Sequence, residues 1–203
     1  MKDKILVLLS GGVDSTGLLY KCLNDSKYSH LDVHVHHVNI ITRLKKHIPE
    51  AIACKNIVEW LREKNYSFEY TESTVDLSSV FKDRVPWDTE ICWSIAAMIC
   101  QIDSSIKWAS TGRKLDDSGP AEEEETRKRL DTLFHYMTSS EWRNYEGVKN
   151  LPVIAHMTKK EIWNYLPVEL REMTWYCSVP LYNGDEIKAC GLCHTCCDMK
   201  KIL

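Results

Sequence analysis

Ser10-Gly11-Gly12-Val13-Asp14-Ser15-Thr16 is a glycine turn on which the predicted architecture rests. It follows a predicted short buried strand, Lys4 to Leu9, and precedes apolar residues at helical spacing from Gly17 to Leu23. Adjacent glycines let the backbone approach a phosphate closely, and hydroxyl groups and a helix N-terminus supply donors and positive potential. This context favours an anion site over an ordinary strand-to-helix turn. The turn lacks the lysine of a Walker motif, so that type of γ-phosphate transfer is not indicated.

Strands and helices are predicted to alternate after the turn. Apolar and β-branched runs predict three more strands, at Leu31 to Val38, Ser67 to Thr71 and Ile106 to Ala109. Apolar residues three and four apart predict helices from Pro49 to Lys64 and from Trp87 to Ile102. This alternation is typical of an α/β fold with a parallel sheet.

The sequence changes character at Pro120, where Glu122 to Glu125 precede Arg127 to Arg129. Acids followed by bases at a spacing of four are typical of a solvated helix. We expect one α/β nucleotide-binding body over residues 1–150. Residues 151–203 would then form a helical and metal-binding extension of the same domain.

Composition limits the classes of partner. The chain has 203 residues, 26 Lys+Arg against 29 Asp+Glu, and a formal net charge of -3. This balance lacks the basic excess of proteins that neutralise many phosphates, which argues against a nucleic acid partner. No apolar run is long enough for a signal peptide or a membrane span, so we expect a cytoplasmic protein without a membrane partner. A homodimer is an alternative to a monomer.

Five of the nine cysteines fall in the last 27 residues. Cys177, Cys190, Cys193 and Cys196 have a spacing that can close a tetrahedral site, and metal binding fits a cytoplasmic chain better than disulfides. We expect a structural zinc ion, ahead of an iron–sulfur cluster. Cys197 directly follows a ligand and is left out, whereas His194 could substitute for one.

The glycine turn resembles the SGGxDS signature of the PP-loop ATP pyrophosphatase superfamily, matched by Ser10 to Ser15. The resemblance implies a Rossmann-type (HUP-like) parallel sheet with helices on both faces. It also implies that the turn holds the β- and γ-phosphates of ATP while an acceptor attacks the α-phosphate. Pyrophosphate leaves, an adenylated intermediate forms, and Mg²⁺ bridges the phosphate oxygens.

Four later segments resemble, in order, those of the 7-cyano-7-deazaguanine synthase family. They are Thr111-Gly112-Arg113-Lys114-Leu115-Asp116-Asp117-Ser118-Gly119, Leu151 to Ile162, Thr174-Trp175-Tyr176-Cys177 and Cys190-Gly191-Leu192-Cys193-His194-Thr195-Cys196. The resemblance implies a ligase that adenylates the carboxylate of 7-carboxy-7-deazaguanine and transfers it to ammonia, giving an amide or a nitrile. It covers nearly the whole chain.

Candidate site residues follow from the turn, the resemblance and residue chemistry. The predicted catalytic residues are Ser10, Asp14, Asp116 and Lys159. The predicted ATP contacts are Ser10, Gly11, Gly12, Asp14, Ser15, Thr16 and Arg43. The predicted substrate contacts are Arg113, Asp116, Asp117, Ser118 and Gly119. The aspartates could bind Mg²⁺ or the amino edge of the base, and the arginines a carboxylate or a phosphate; helix capping and surface positions are the simpler alternatives.

Two departures from the family pattern leave other functions open. Ser118-Gly119 runs into Pro120-Ala121-Glu122 where the family continues Y-P-D-C-R, and Asn39 to Arg43 replaces its D-Y-G-Q-R. One alternative is transfer of the deazaguanine to a protein amine in a phage or antiphage pathway. Others are a tRNA thiolase with an iron–sulfur cluster and a nucleotide-binding module without catalysis.

Overall fold

A computed structural model describes residues 2–80, 88–117, 120–139 and 147–203. The strands are β1 (Lys4–Leu8), β2 (Asp32–Ile41), β3 (Glu69–Asp76), β4 (Ile106–Ser110), β5 (Lys149–Asn150), β6 (Leu181–Asn183) and β7 (Glu186–Lys188). The helices are α1 (Val13–Asn24), a 3-10 turn (Ser26–Tyr28), α2 (His47–Glu63), α3 (Asp88–Ile102), α4 (Pro120–Thr138), α5 (Lys159–Tyr165), α6 (Val168–Met173) and α7 (His194–Lys200).

The main sheet has five parallel strands in the order β3-β2-β1-β4-β5. The α/β architecture predicted from the sequence is therefore confirmed. Strands β2 and β3 lie on one side of β1, and β4 and β5 lie on the other, so the strand order reverses between β1 and β4. In open parallel sheets, ligands bind at such a switch point, outside the carboxyl ends of the strands. The glycine turn follows β1, and the segment that begins at Thr111 follows β4.

β1 is buried on both faces, which explains its continuous apolar sequence. Ile5, Val7 and Leu9 belong to a core shared with α1, α2 and the C-terminal segment. Leu6 and Leu8 belong to a second core shared with α3 and α4. Helices therefore cover both faces of the sheet, as the family resemblance implied.

The C-terminal segment packs into the first of these cores. Val153, Ile154, Ile162 and Met199 are all buried there. α5 packs tightly against α1, because a Cβ placed on Gly17 would lie 2.3 Å from Cγ2 of Ile162. Only a residue without a side chain allows this approach, which places the start of α5 beside the glycine turn.

The third strand differs from its predicted range. β3 begins at Glu69 and continues to Asp76, beyond the expected end at Thr71. Its second half, from Glu72 to Asp76, pairs with His37 to Ile41 of β2. Its alternation of exposed and half-buried residues is that of an edge strand, which has a weaker apolar signal than a central strand.

Among the described residues, no helix has the length and apolar character needed to cross a membrane.

Candidate functional site

The glycine turn is held open by hydrogen bonds among its own residues. The Ser10 amide donates to Oγ of Ser15 over 3.1 Å, and the two serine hydroxyls are 3.0 Å apart. The hydroxyl of Thr16 donates to the Gly12 carbonyl over 2.8 Å, and Ser15 and Thr16 are buried. These bonds fix the first turn of α1 with its amides at the carboxyl end of β1. A phosphate at this position can accept hydrogen bonds from the amides.

Two glycines make this geometry possible. Gly11 has φ of 76°, and a Cβ there would lie 2.9 Å from both Cβ of Ala53 and the carbonyl oxygen of Glu50. A Cβ on Gly112, after β4, would lie 2.9 Å from the Ser15 amide nitrogen. The backbone of the segment after β4 therefore lies directly against the first turn of α1.

Asp14 is the acidic residue at the centre of the site. Its Oδ2 lies 3.6 Å from Nζ of Lys159, while its Oδ1 is buried without a hydrogen-bond partner. Burial raises the pKa of Asp14, and the positive charges of Lys159 and Lys114 oppose this rise. A buried carboxylate oxygen with a free lone pair suits Mg²⁺, which binds proteins through one or two carboxylates and keeps its bonds to phosphate oxygens.

Lys114 lies close to this centre, although the sequence reasoning did not single it out. Its side chain is 8% exposed and makes ion pairs with Asp117 and, over 3.7 Å, with Asp116. Burial acts to lower the pKa of Lys114, but the hydrogen bond with Asp117 and the carboxylates around it raise it overall. A lysine followed closely by two aspartates was the available signal.

Asp116 is bound to the start of α5. Its Oδ1 accepts the Lys159 amide over 3.0 Å, next to a capping box in which Thr158 and Glu161 exchange hydrogen bonds. Asp117 instead accepts the Lys114 amide over 2.9 Å. Asp116 therefore connects the segment after β4 to the lysine-bearing helix, whereas Asp117 braces that segment internally. In this structure the Asp116 carboxylate is engaged with backbone.

The remaining predicted residues lie at different distances from this centre. Arg113 is half-buried and directly precedes Lys114. Arg43 is exposed beyond the end of β2, where its Nε donates to the Ser78 carbonyl over 3.1 Å. Ser118 and Gly119 lie outside the described residues.

A second charged cluster lies behind the glycine turn. Nζ of Lys46 contacts Oε1 of Glu50 over 3.0 Å and Oδ2 of Asp88 over 2.9 Å. Burial raises the pKa of Glu50 to about 7, although Lys46 opposes the shift. The four-residue spacing of Lys46 and Glu50 could have predicted their pairing, but nothing in the sequence predicted their position behind Gly11.

The four predicted cysteine ligands come together at the C-terminal end of the chain. The sulfur atoms of Cys177, Cys190, Cys193 and Cys196 all lie within 4.8 Å of one another. Two of the separations are 4.0 Å, for Cys177 with Cys193, and 3.9 Å, for Cys190 with Cys196. A four-cysteine metal-binding site is therefore present.

Backbone amides around Cys190 favour its thiolate form, whereas burial raises the pKa of Cys177 and Cys196. The amides of Leu192 and Cys193 donate to Sγ of Cys190 over 3.4 and 3.3 Å, which lowers the pKa of that thiol. Cys197 is exposed and is not a member of the group, as predicted. His194 is not a member either, and its ring pairs with Asp198 over 3.2 Å.

Comparison with known proteins supports the fold. No protein-family model and no curated protein matches the chain. Among solved structures, the chain is similar to the U34-tRNA thiolase NcsA from Methanococcus maripaludis with its 4Fe–4S cluster, with 17% sequence identity and a TM-score of 0.56. The match covers 89% of this chain and 62% of the thiolase chain, so this chain spans less than two thirds of that protein. The likeness shows a shared α/β fold.

Proposed function

We propose that this protein is an ATP-dependent enzyme that cleaves ATP between the α- and β-phosphates and activates an acceptor as its adenylate. One observation carries the proposal: the glycine turn, Asp14, Lys114 and Lys159 meet at the switch point of the sheet. Asp14 contributes the acid, the lysines contribute positive charge, and the first turn of α1 contributes amide donors. This combination fits a bound polyphosphate with a divalent cation.

The residues of the site would act mainly by orientation and charge stabilisation. The amides of Gly12 to Ser15 would hold the leaving phosphates at the N-terminus of α1. Lys159 would exchange its contact with Asp14 for a phosphate oxygen and stabilise the charge that develops on pyrophosphate. Asp14 would then be free to bind Mg²⁺, which supplies charge neutralisation when bound. The hydrogen bond from the Lys159 amide to Asp116 would keep α5 in place during this exchange.

We further propose that the cysteine site holds one zinc ion. Zinc–sulfur bonds of about 2.3 Å in a tetrahedron place the sulfur atoms about 3.8 Å apart. The separations of 3.9 and 4.0 Å fit this value. In an iron–sulfur cluster the cysteines bind separate iron atoms, which requires wider spacing. Four thiolates fill the coordination sphere, which favours a structural role.

A tRNA base is the acceptor that the structural comparison favours. The similar structure is a tRNA thiolase with an iron–sulfur cluster, which provides a precedent for a metal centre on this fold. In this reading the protein would activate a base carbonyl for replacement by sulfur. The net charge of -3 means that RNA contacts would have to come from a local basic surface.

A 7-deazaguanine carboxylate is the acceptor that the sequence motifs favour. The segments at Thr111 to Gly119 and Cys190 to Cys196 resemble those of the 7-cyano-7-deazaguanine synthases, and the close sulfur spacing fits zinc. The amine would be ammonia or a protein amino group.

A binding module without catalysis would retain the glycine turn and release no pyrophosphate with any acceptor.

Mass spectrometry of reaction products separates these readings. The protein would be incubated with ATP, Mg²⁺ and either 7-carboxy-7-deazaguanine with ammonia, the same acid with a candidate protein acceptor, or unmodified tRNA with a sulfur donor. The proposal predicts AMP formation that depends on one of these acceptors. Lys159→Met should abolish it and Lys160→Met, its exposed neighbour, should not. Formation of ADP would contradict the proposed cleavage.

A further inference from the structure

The backbone of Trp175 contacts the glycine turn. The Trp175 amide donates to the Gly11 carbonyl over 2.8 Å. The Gly11 carbonyl and the Gly12 amide belong to one trans peptide unit, in which C=O and N–H point in opposite directions. The bond from Trp175 therefore turns the Gly12 amide away from the C-terminal segment, toward Oγ of Ser10 at 3.4 Å. A phosphate bound by this amide would lie on that side.

Trp175 is in turn tied to the metal site. Its indole Nε1 donates to the Cys177 carbonyl over 2.8 Å. The Cys177 side chain is fully buried, and its sulfur accepts the Cys190 amide over 3.2 Å. One metal ligand is therefore only two residues from the amide that holds Gly11. Movement of this ligand would move the Trp175 backbone.

A second connection runs through the hairpin of β6 and β7, which lies between ligands Cys177 and Cys190. The hydroxyl of Tyr182, in β6, donates to the Lys45 carbonyl over 2.5 Å. Lys45 has φ of 52° and precedes Lys46, the ion-pair partner of Glu50. The Glu50 carbonyl is one of the groups directly behind Gly11. The metal-bearing segment thus reaches the turn from two directions.

We infer that the cysteine metal site sets the orientation of the Gly12 amide, so that metal binding and ATP binding strengthen each other. The inference rests on the proposed ATP site. Trp175 and Tyr182 are positioning residues in this account, because they act through the backbone of the turn. Thermodynamic linkage requires each ligand to change the affinity for the other by the same factor, typically about 5- to 150-fold.

The test measures zinc affinity by competition with a chromophoric chelator, with and without saturating α,β-methylene ATP and Mg²⁺. Nucleotide affinity is measured separately by calorimetry on zinc-loaded protein. The variants are Trp175→Phe, which replaces the indole with a smaller ring that has no donor, and Tyr182→Phe, which removes only the hydroxyl. Trp60→Phe, in the last turns of α2 beside Lys64, is the matched control.

We expect the nucleotide to tighten zinc binding by about fivefold or more, the lower end of typical coupling. Trp175→Phe and Tyr182→Phe should reduce this factor while retaining one zinc per chain, and Trp60→Phe should preserve it. Nucleotide binding without any change in zinc affinity would overturn the inference but not the proposed function. The same holds if Trp175→Phe and Tyr182→Phe both keep the full coupling factor, or if Trp60→Phe loses as much of it as they do. Absence of nucleotide binding to the wild type would overturn the proposed function, and the inference with it.

Discussion

Lys159 Nζ lies 3.6 Å from Asp14 Oδ2, although the two residues are far apart in the sequence. Lys159 occupies the first position of α5, where the helix dipole disfavours a positive charge. Asp14 faces the ammonium group of Lys159, and Asp116 accepts the Lys159 amide at the positive end of the helix dipole. A cation held in this position is suited to binding an anion, which is the basis of the first prediction.

Lys159→Met should lower ATP turnover by about a hundredfold or more, the loss expected when one preorganised charge-stabilising donor is removed. Lys160→Met is the matched control, because Lys160 is exposed in the same helical turn. Steady-state kinetics and thermal melting of both variants make the comparison. Equal activity in the two variants would remove Lys159 from the site.

The adjacent glycines should respond differently to alanine. Gly11→Ala would place a Cβ 2.9 Å from the Glu50 carbonyl at a positive φ, so we expect a loss of stability of about 1 to 3 kcal/mol. Gly12→Ala meets its nearest atoms at 3.4 and 3.5 Å, which is ordinary contact. It should fold normally and lose nucleotide affinity where its methyl group meets the phosphates. Urea unfolding and calorimetry distinguish the two; a stable Gly11→Ala protein would contradict the turn geometry.

Gly17→Ala should destabilise the protein, although alanine ordinarily stabilises a helix interior relative to glycine. The cause is the 2.3 Å approach of Cγ2 of Ile162. In an Ile162→Ala background the same change should become neutral or stabilising, because the clashing methyl group is gone. Denaturant unfolding of the wild type, the two single variants and the double variant gives the coupling energy between the two positions. Additive effects would show that α1 and α5 do not meet at this point.

Replacing Cys193 with serine should release the metal and destabilise the C-terminal segment. Cys197→Ser should do neither, since Cys197 is exposed and outside the ligand group. Elemental analysis should find one zinc per wild-type chain and little iron. A visible charge-transfer band with stoichiometric iron would replace the zinc assignment with an iron–sulfur cluster.

Acid should destabilise the protein through the histidines of β2. Burial lowers the pKa of His36 to about 4 and shifts those of His34 and His37 in the same direction. The unfolded chain therefore binds more protons than the folded one between about pH 6.5 and 4, and stability falls as pH falls through this window. His36→Gln should reduce the slope of the unfolding free energy against pH by up to about 1.4 kcal/mol per pH unit. Identical slopes in urea titrations would contradict the burial of a neutral His36.

The sequence was sufficient to predict the parts of the structure that depend on local chemistry. The apolar run Ile5 to Leu9 and the glycine turn predicted β1, the turn and α1, and the cysteine spacing predicted the metal-binding group. The contact of Asp116 with Lys159 and the burial of Lys114 depend on how the C-terminal segment folds back over the sheet. These contacts join residues far apart in sequence, and a single sequence gives no measure of such distances.

The most direct test of the account is phosphorus NMR of ATP products in the presence of Mg²⁺ and the acceptor identified by mass spectrometry. Cleavage at the α-phosphate predicts equal amounts of AMP and pyrophosphate, formed by the wild type and by Lys160→Met and lost in Lys159→Met. Formation of ADP and inorganic phosphate, or unchanged products in Lys159→Met, would contradict it.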